Sequence, residues 1–178
     1  MNMKTKQLVY ASFFLALGII VPQIFHFTGL PGTVFLPMHI PVLLCGFILG
    51  PKYGLVVGAL TPLLNSLLTG MPPVYPVATS MMFELATYGL VAGLLYQLLK
   101  QSSIVSLIGS MLLGRVIGGI ANAIFYTASG TGFVLSTFIT ASFVTCFWGI
   151  VIQLVIIPII VKSVNQYFEK SPRLVMEK

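Results

Sequence analysis

The sequence predicts an all-α membrane protein, a six-helix transmembrane bundle with a short second helix and both the N and C termini cytoplasmic. Three observations carry this expectation. Of the 178 residues, 57% are hydrophobic and only 7% charged, against roughly one quarter charged in an ordinary globular domain. The apolar residues gather in six runs, most of them long enough for a membrane helix. The nine Lys and Arg residues stand singly between those runs with no basic stripe, so a net charge of +6 reads as membrane anchoring and argues against a nucleic-acid partner.

The first run, residues 7–25, follows Lys4 and Lys6 and has the start of a secretory signal. No small-residue cleavage site follows and the rest of the chain is equally apolar, so it reads as a retained first helix. The second, residues 38–49, is too short to cross a core of ~30 Å as a straight helix, which needs about 20 residues. It is expected to be tilted, partly buried or re-entrant. Gly50-Pro51-Lys52 supplies a helix stop, a helix start and a charge, and the third run occupies residues 52–68. The fourth spans 77–99, the fifth 103–128 and the sixth 133–164. The tail beyond is too short to bury a core of its own and is expected to be a solvated or headgroup-level helix end. A single domain, 1–178, is expected throughout.

Orientation follows from the connectors. Those after the first, third and fifth runs are rich in Gly, Pro and Thr and carry no Lys, Arg, Asp or Glu. Lys4, Lys6, Lys52, Lys100, Lys162, Lys170, Arg173 and Lys178 all fall on the other side, which the positive-inside rule assigns to the cytoplasm. Arg115 is the exception. Cys45 and Cys146 lie inside apolar runs with no metal-ligand spacing and read as small packing residues.

An ionised side chain inside a membrane helix costs at least ~2.5 kcal/mol, so it is a functional candidate by default. Glu84 and Arg115 are such residues. On the fifth run Arg115, Gly119, Asn122 and Tyr126 share a face, rising from the charge toward the uncharged side. The third run places Gly54, Gly58, Thr61 and Asn65 at the same spacing, Glu84 and Tyr88 stand four apart, and the sixth adds Trp148. These groups converge at one depth and imply a pocket for a small polar molecule. Arg115 suits a carboxylate or phosphate, and Asn65, Asn122 and Glu84 suit hydroxyls or amides. The structural alternative is a Glu84–Arg115 ion pair, with the two Asn residues as helix glue. His26 and His39 flank the first external loop as interface or ligand residues, and Tyr75, in a loop, is a candidate lid.

No phosphate-binding G-x-x-x-x-G-K-[ST], H-E-x-x-H or G-x-S-x-G motif occurs. The chain has no means of hydrolysing ATP, no metal site or cofactor is expected, and catalysis is weakly supported.

The blocks L-P-M-H-I-P…G-F-I-L-G-P-K-Y-G and T-P-L-L-N-S-L-L-T-G-M-P-P…F-E-L-A-T-Y-G resemble the substrate-binding S components of energy-coupling factor (ECF) vitamin transporters, over nearly the whole chain. The resemblance implies a bacterial plasma-membrane subunit that binds a water-soluble vitamin near its external face. Its partners would be a transmembrane T component and two ATP-binding subunits. The family's A-x-x-x-A contact with the T component falls on Ser12 and Ala16, with Ser in place of the first Ala. Within the family the blocks are most similar to the pantothenate group. Folate, riboflavin, pyridoxine or hydroxymethylpyrimidine stay open as substrates, as do a stand-alone secondary transporter or channel and, less well supported, a membrane enzyme.

Overall fold

A computed structural model describes residues 3–170 of the chain, with side chains from Lys4 to Tyr167. Every regular element among the described residues is helical. Helix α1, Met3–Phe27, leads to a single turn, α2, Gly32–Phe35, and to α3, His39–Leu49. Helix α4, Pro51–Thr69, follows at once. A kinked segment, Val74–Ala78, in which Tyr75 is extended at φ −125° and ψ 134°, runs into α5, Thr79–Gly93, which ends in a π-helical turn, Leu94–Leu98. Helix α6 covers Ser103–Ala128, α7 covers Leu135–Ile139, a π-helical turn fills Thr140–Thr145, and α8 runs over Phe147–Lys170.

Local chemistry sets these limits. Pro51 occupies the first turn of α4, where its missing N–H is no loss, and Gly70 closes that helix at φ 74°, a conformation that glycine adopts freely. The Ser102 side chain accepts a hydrogen bond from the Val105 N–H and so caps α6.

One expectation is borne out and one corrected. The second helix is short: α3, His39–Leu49, has 11 residues, and with α2 it forms an apolar stretch, Gly32–Leu49, of 18 residues, long enough to span. Leu36, at φ 52°, and Pro37 interrupt it, and the sequence pattern registers that punctuation as an end. The sixth segment is not continuous. It breaks at Cys146, whose thiol lies 3.0 Å from the Thr33 carbonyl and 2.9 Å from that of Ala141. Just beyond, Gly149 lets α8 approach the Val34–Phe35 backbone so closely that a Cβ there would stand 2.6 Å from the Val34 oxygen. Of the tail expected at headgroup level, residues 165–170 continue α8, and Arg173 and Lys178 lie outside the described residues.

Five stretches are long and apolar enough to cross a membrane: Lys4–Phe27, Gly32–Leu49, Val74–Leu98, Ser103–Ala128 and Phe147–Tyr167. Helix α4, of 19 residues, runs among them with a face of Gly54, Val57, Gly58, Thr61, Pro62, Asn65 and Ser66 turned inward. Cross-contacts define the two ends of the bundle. At one, the Tyr53 hydroxyl donates to Gln7 Oε1 at 3.3 Å, Gln97 donates to the Phe47 carbonyl at 2.9 Å and Asn165 donates to the Tyr96 hydroxyl at 2.6 Å. Lys4, Lys52, Lys100 and Lys162 are exposed at this same end. At the other, the Tyr75 hydroxyl donates to the Phe125 carbonyl and Phe25 packs on Phe35.

In lipid there is no hydrophobic drive for helices to associate, so small residues that admit close backbone approach, together with polar contacts, do that work. Here α3, α4 and α5 meet on glycine. A Cβ on Gly46 or Gly54 would collide with the Gly89 carbonyl, one on Gly58 with that of Leu85, and one on Gly89 with that of Gly54. Backbone oxygens cannot swing aside as a flexible side chain does. We expect Gly89→Ala to lower the stability of the purified protein in detergent by about 1–3 kcal/mol or more. Gly32→Ala, where nothing lies within 4 Å, is expected to stay within about 0.5 kcal/mol of wild type. Thermal unfolding monitored by circular dichroism checks both, and equal behaviour of the two variants would refute the glycine junction.

Candidate functional site

The inward face of α6 is Ser106, Leu107, Ser110, Gly114, Gly118 and Ala121, a helical stripe of mostly small residues. Its two glycines leave room for side chains arriving from α5. A Cβ on Gly114 would stand 2.6 Å from the Tyr88 ring, and one on Gly118 would stand 2.9 Å from Glu84 Oε2. Tyr88 and Glu84 therefore lie flat against α6 because Gly114 and Gly118 carry no side chain.

Arg115 follows Gly114 directly and reaches the same carboxylate, with Nη1 2.8 Å from Glu84 Oε1. The two side chains are 10% and 6% exposed, so this is a buried ion pair. The Tyr88 hydroxyl donates to the same oxygen at 3.2 Å. His39, at the start of α3 and 3% exposed, brings Nε2 to 3.8 Å from it, and its ring lies 5.3 Å from that of Tyr88. Three helices, α3, α5 and α6, thus converge on one carboxylate oxygen. Cys146, at the break before α8, lies beside the Arg115 guanidinium. Neither ring nitrogen of His39 has a hydrogen-bond partner.

The remaining sequence candidates are distributed differently. Asn65 is fully buried between α1 and α4, its amide donating to the Gly18 and Thr61 carbonyls at 3.0 Å each. The amide bridges the two helices, while its Oδ1 is buried with no hydrogen-bond partner among the described residues. Asn122 is half-buried and its amide turns back onto the Gly118 carbonyl at 2.8 Å; Tyr126, also half-buried, stands a turn further toward the lysine-free end. Trp148 is 61% exposed with its ring against Phe147, so the structure does not bring it to the pair. Tyr75 sits at the lysine-free end, bonded to the Phe125 carbonyl at 3.1 Å. Ser12 and Ala16 are exposed on one face of α1, and His26 is exposed at the end of that helix.

By sequence His39 flanks a loop, whereas it lies inside the bundle; the uninterrupted apolar run that follows it is the available signal. By sequence Cys146 is a packing residue, and no periodicity in its own segment ties it to Arg115. Chemically, the network holds one cation, one anion and an aromatic hydroxyl at close quarters, with unsatisfied imidazole nitrogens at its edge. That arrangement suits the recognition of a small polar molecule and lacks an activated nucleophile. Among the described residues no cluster of His, Cys, Asp and Glu could hold a metal ion.

A family model described as "ECF transporter, substrate-specific component" matches residues 6–161. Comparison with curated proteins gives no match.

Removing one partner of a buried ion pair leaves an uncompensated charge and destabilises by about 3–5 kcal/mol, whereas replacing both is often far cheaper. We therefore expect Glu84→Gln and Arg115→Met each to lower thermal stability strongly and the double variant to regain most of the loss. Losses that simply add would show that the two side chains are energetically independent.

Proposed function

The chain belongs to the ECF transporter substrate-specific component family, and from that membership we propose that it binds pantothenate at the Glu84–Arg115 network. As a member it is a multi-pass membrane subunit that recognises a small-molecule substrate and works with T and ATPase subunits; it is a transporter component and not an enzyme.

The buried pair is the observation that carries the reading. Two ionised groups are placed where each is costly, at a point where three helices meet. Pantothenate has one carboxylate, two hydroxyls and an amide. The planar guanidinium has five N–H donors, and the contact with Glu84 leaves others for a carboxylate. Glu84, His39 and Tyr88 suit the hydroxyls and the amide, and Asn122 and Tyr126 continue the polar face toward the lysine-free end. By the positive-inside rule that end is external, so the substrate enters there, beneath the connector carrying Tyr75. The membrane is the plasma membrane of a bacterium.

Ser12 and Ala16 are proposed as the contact with the T component. Both lie on the outer side of α1, among the exposed Leu8, Val9, Phe13 and Ile20, and a small-x-x-x-small pair admits a second helix closely. The whole chain acts as one unit in this scheme.

Isothermal titration of the purified protein with pantothenate tests the site. In the double variant Glu84→Gln/Arg115→Gln, which removes both charges together, affinity is expected to fall roughly 10- to 100-fold, the worth of a charged hydrogen bond. Unchanged affinity would place the substrate elsewhere. Binding of another vitamin by wild type, with pantothenate inert, would retain the site and replace the substrate. Ala16→Trp is expected to keep substrate affinity and to lose co-purification with the T and ATPase subunits; retained co-purification would remove this face from the interface.

A further inference from the structure

At the lysine-rich end, between the first turn of α6 and the last turns of α8, the structure holds a groove of about 410 Å³. It lies away from the Glu84–Arg115 network, and its lining is divided. Ile104 and Pro158 give an apolar side, with Ile104 54% exposed, while Ser103, Lys162 and Gln166 give a polar one. The hydroxyl of Ser103, the ammonium of Lys162 and the amide of Gln166 have no hydrogen-bond or ion-pair partner among the described residues.

The groove is held by packing as well as by its rims. Tyr96 lines it, with its ring 5.1 Å from that of Phe47 and its hydroxyl accepting the Asn165 amide at 2.6 Å. Helices α3, α5 and α8 are thereby tied at one point beside it. Tyrosine at the end of a membrane helix sits at headgroup depth, and so does a lysine that reaches out from an apolar helix end.

We propose that this groove binds the phosphodiester headgroup of an anionic phospholipid of the cytoplasmic leaflet. Lys162 supplies the charge, and Ser103 and Gln166 supply neutral donors to the phosphate oxygens. Two membrane-spanning helices flank the groove at the end where Lys4, Lys52 and Lys100 are also exposed, in a field that already favours anionic lipid. The apolar side, Ile104 and Pro158, matches the glycerol and first acyl carbons and offers nothing to a free inorganic ion. A volume of some hundreds of Å³ is of the size that takes a small ligand.

Native mass spectrometry of the full-length protein, released from nanodiscs of mixed phosphatidylglycerol and phosphatidylcholine, provides the test. Wild type is expected to retain phosphatidylglycerol in preference to phosphatidylcholine. Lys162→Gln is expected to reduce that preference about fivefold, the effect of one basic side chain near a charged surface. Ser103→Asp introduces a negative charge at a helix start, where it favours folding, and is expected to reduce the preference as well. Lys52→Gln, at the same end but outside the groove, is expected to leave it unchanged.

Four results would overturn the proposal. The first is an unaltered lipid preference in both groove variants, and the second is an equal loss in Lys52→Gln, which would mean diffuse surface charge. The third is retention of inorganic phosphate by lipid-free wild type with no phosphatidylglycerol preference in nanodiscs, which would make the occupant a free anion. If instead the groove variants fail to co-purify with the T and ATPase subunits while lipid retention holds, the groove is a protein contact and the lipid assignment is wrong.

Discussion

Close backbone approach among α3, α4 and α5 is the constraint on which the rest of the structure depends. Apolar side chains gain little by leaving lipid for one another, so the bundle is secured where Gly46, Gly54, Gly58 and Gly89 allow carbonyl groups into spaces that a methyl would fill. This contact fixes the rotation of α5. With Gly89 turned toward α3 and α4, its neighbours Glu84, Leu85 and Tyr88 are also enclosed, and Glu84 and Tyr88 meet the glycine-bearing face of α6. The same residue type therefore serves two ends, packing at one junction and accommodation of the Glu84 and Tyr88 side chains at the next.

Electrostatics then completes what packing begins. A single carboxylate or guanidinium in this setting would carry a large desolvation penalty. Together, Glu84 and Arg115 make a neutral unit, and Tyr88 adds a further donor to the same oxygen. Such a pair is weak evidence for stability in itself, since well-packed apolar residues of similar size commonly do as well. Its place at the meeting point of three helices is what the proposed recognition of a substrate rests on, in a family of substrate-specific transporter components.

Much of this was legible in the sequence. The composition gave a membrane bundle, the lysines marked one end, and the segment predicted over residues 103–128 coincides with α6. Glu84 and Arg115 stood out because charge in an apolar run is expensive, and the structure joins them. What periodicity could not reach was the partner of each small residue. The face Gly54, Gly58, Thr61 and Asn65 was grouped with the polar pocket by spacing alone, yet it packs on α1 and α5, with Asn65 bonded to Gly18. His39 was underestimated because the Leu36-Pro37 interruption looked like a boundary. Cys146 could not be assigned, because its role arises from a helix break that an unbroken apolar run conceals.

The convergence on Glu84 Oε1 has a mechanical corollary. The Arg115 guanidinium is the strut that ties α6 to α5 through this oxygen, since Tyr88 shares a helix with Glu84 and His39 stops 3.8 Å short. Its displacement would loosen the α5–α6 contact and leave the glycine seam of α3, α4 and α5 closed.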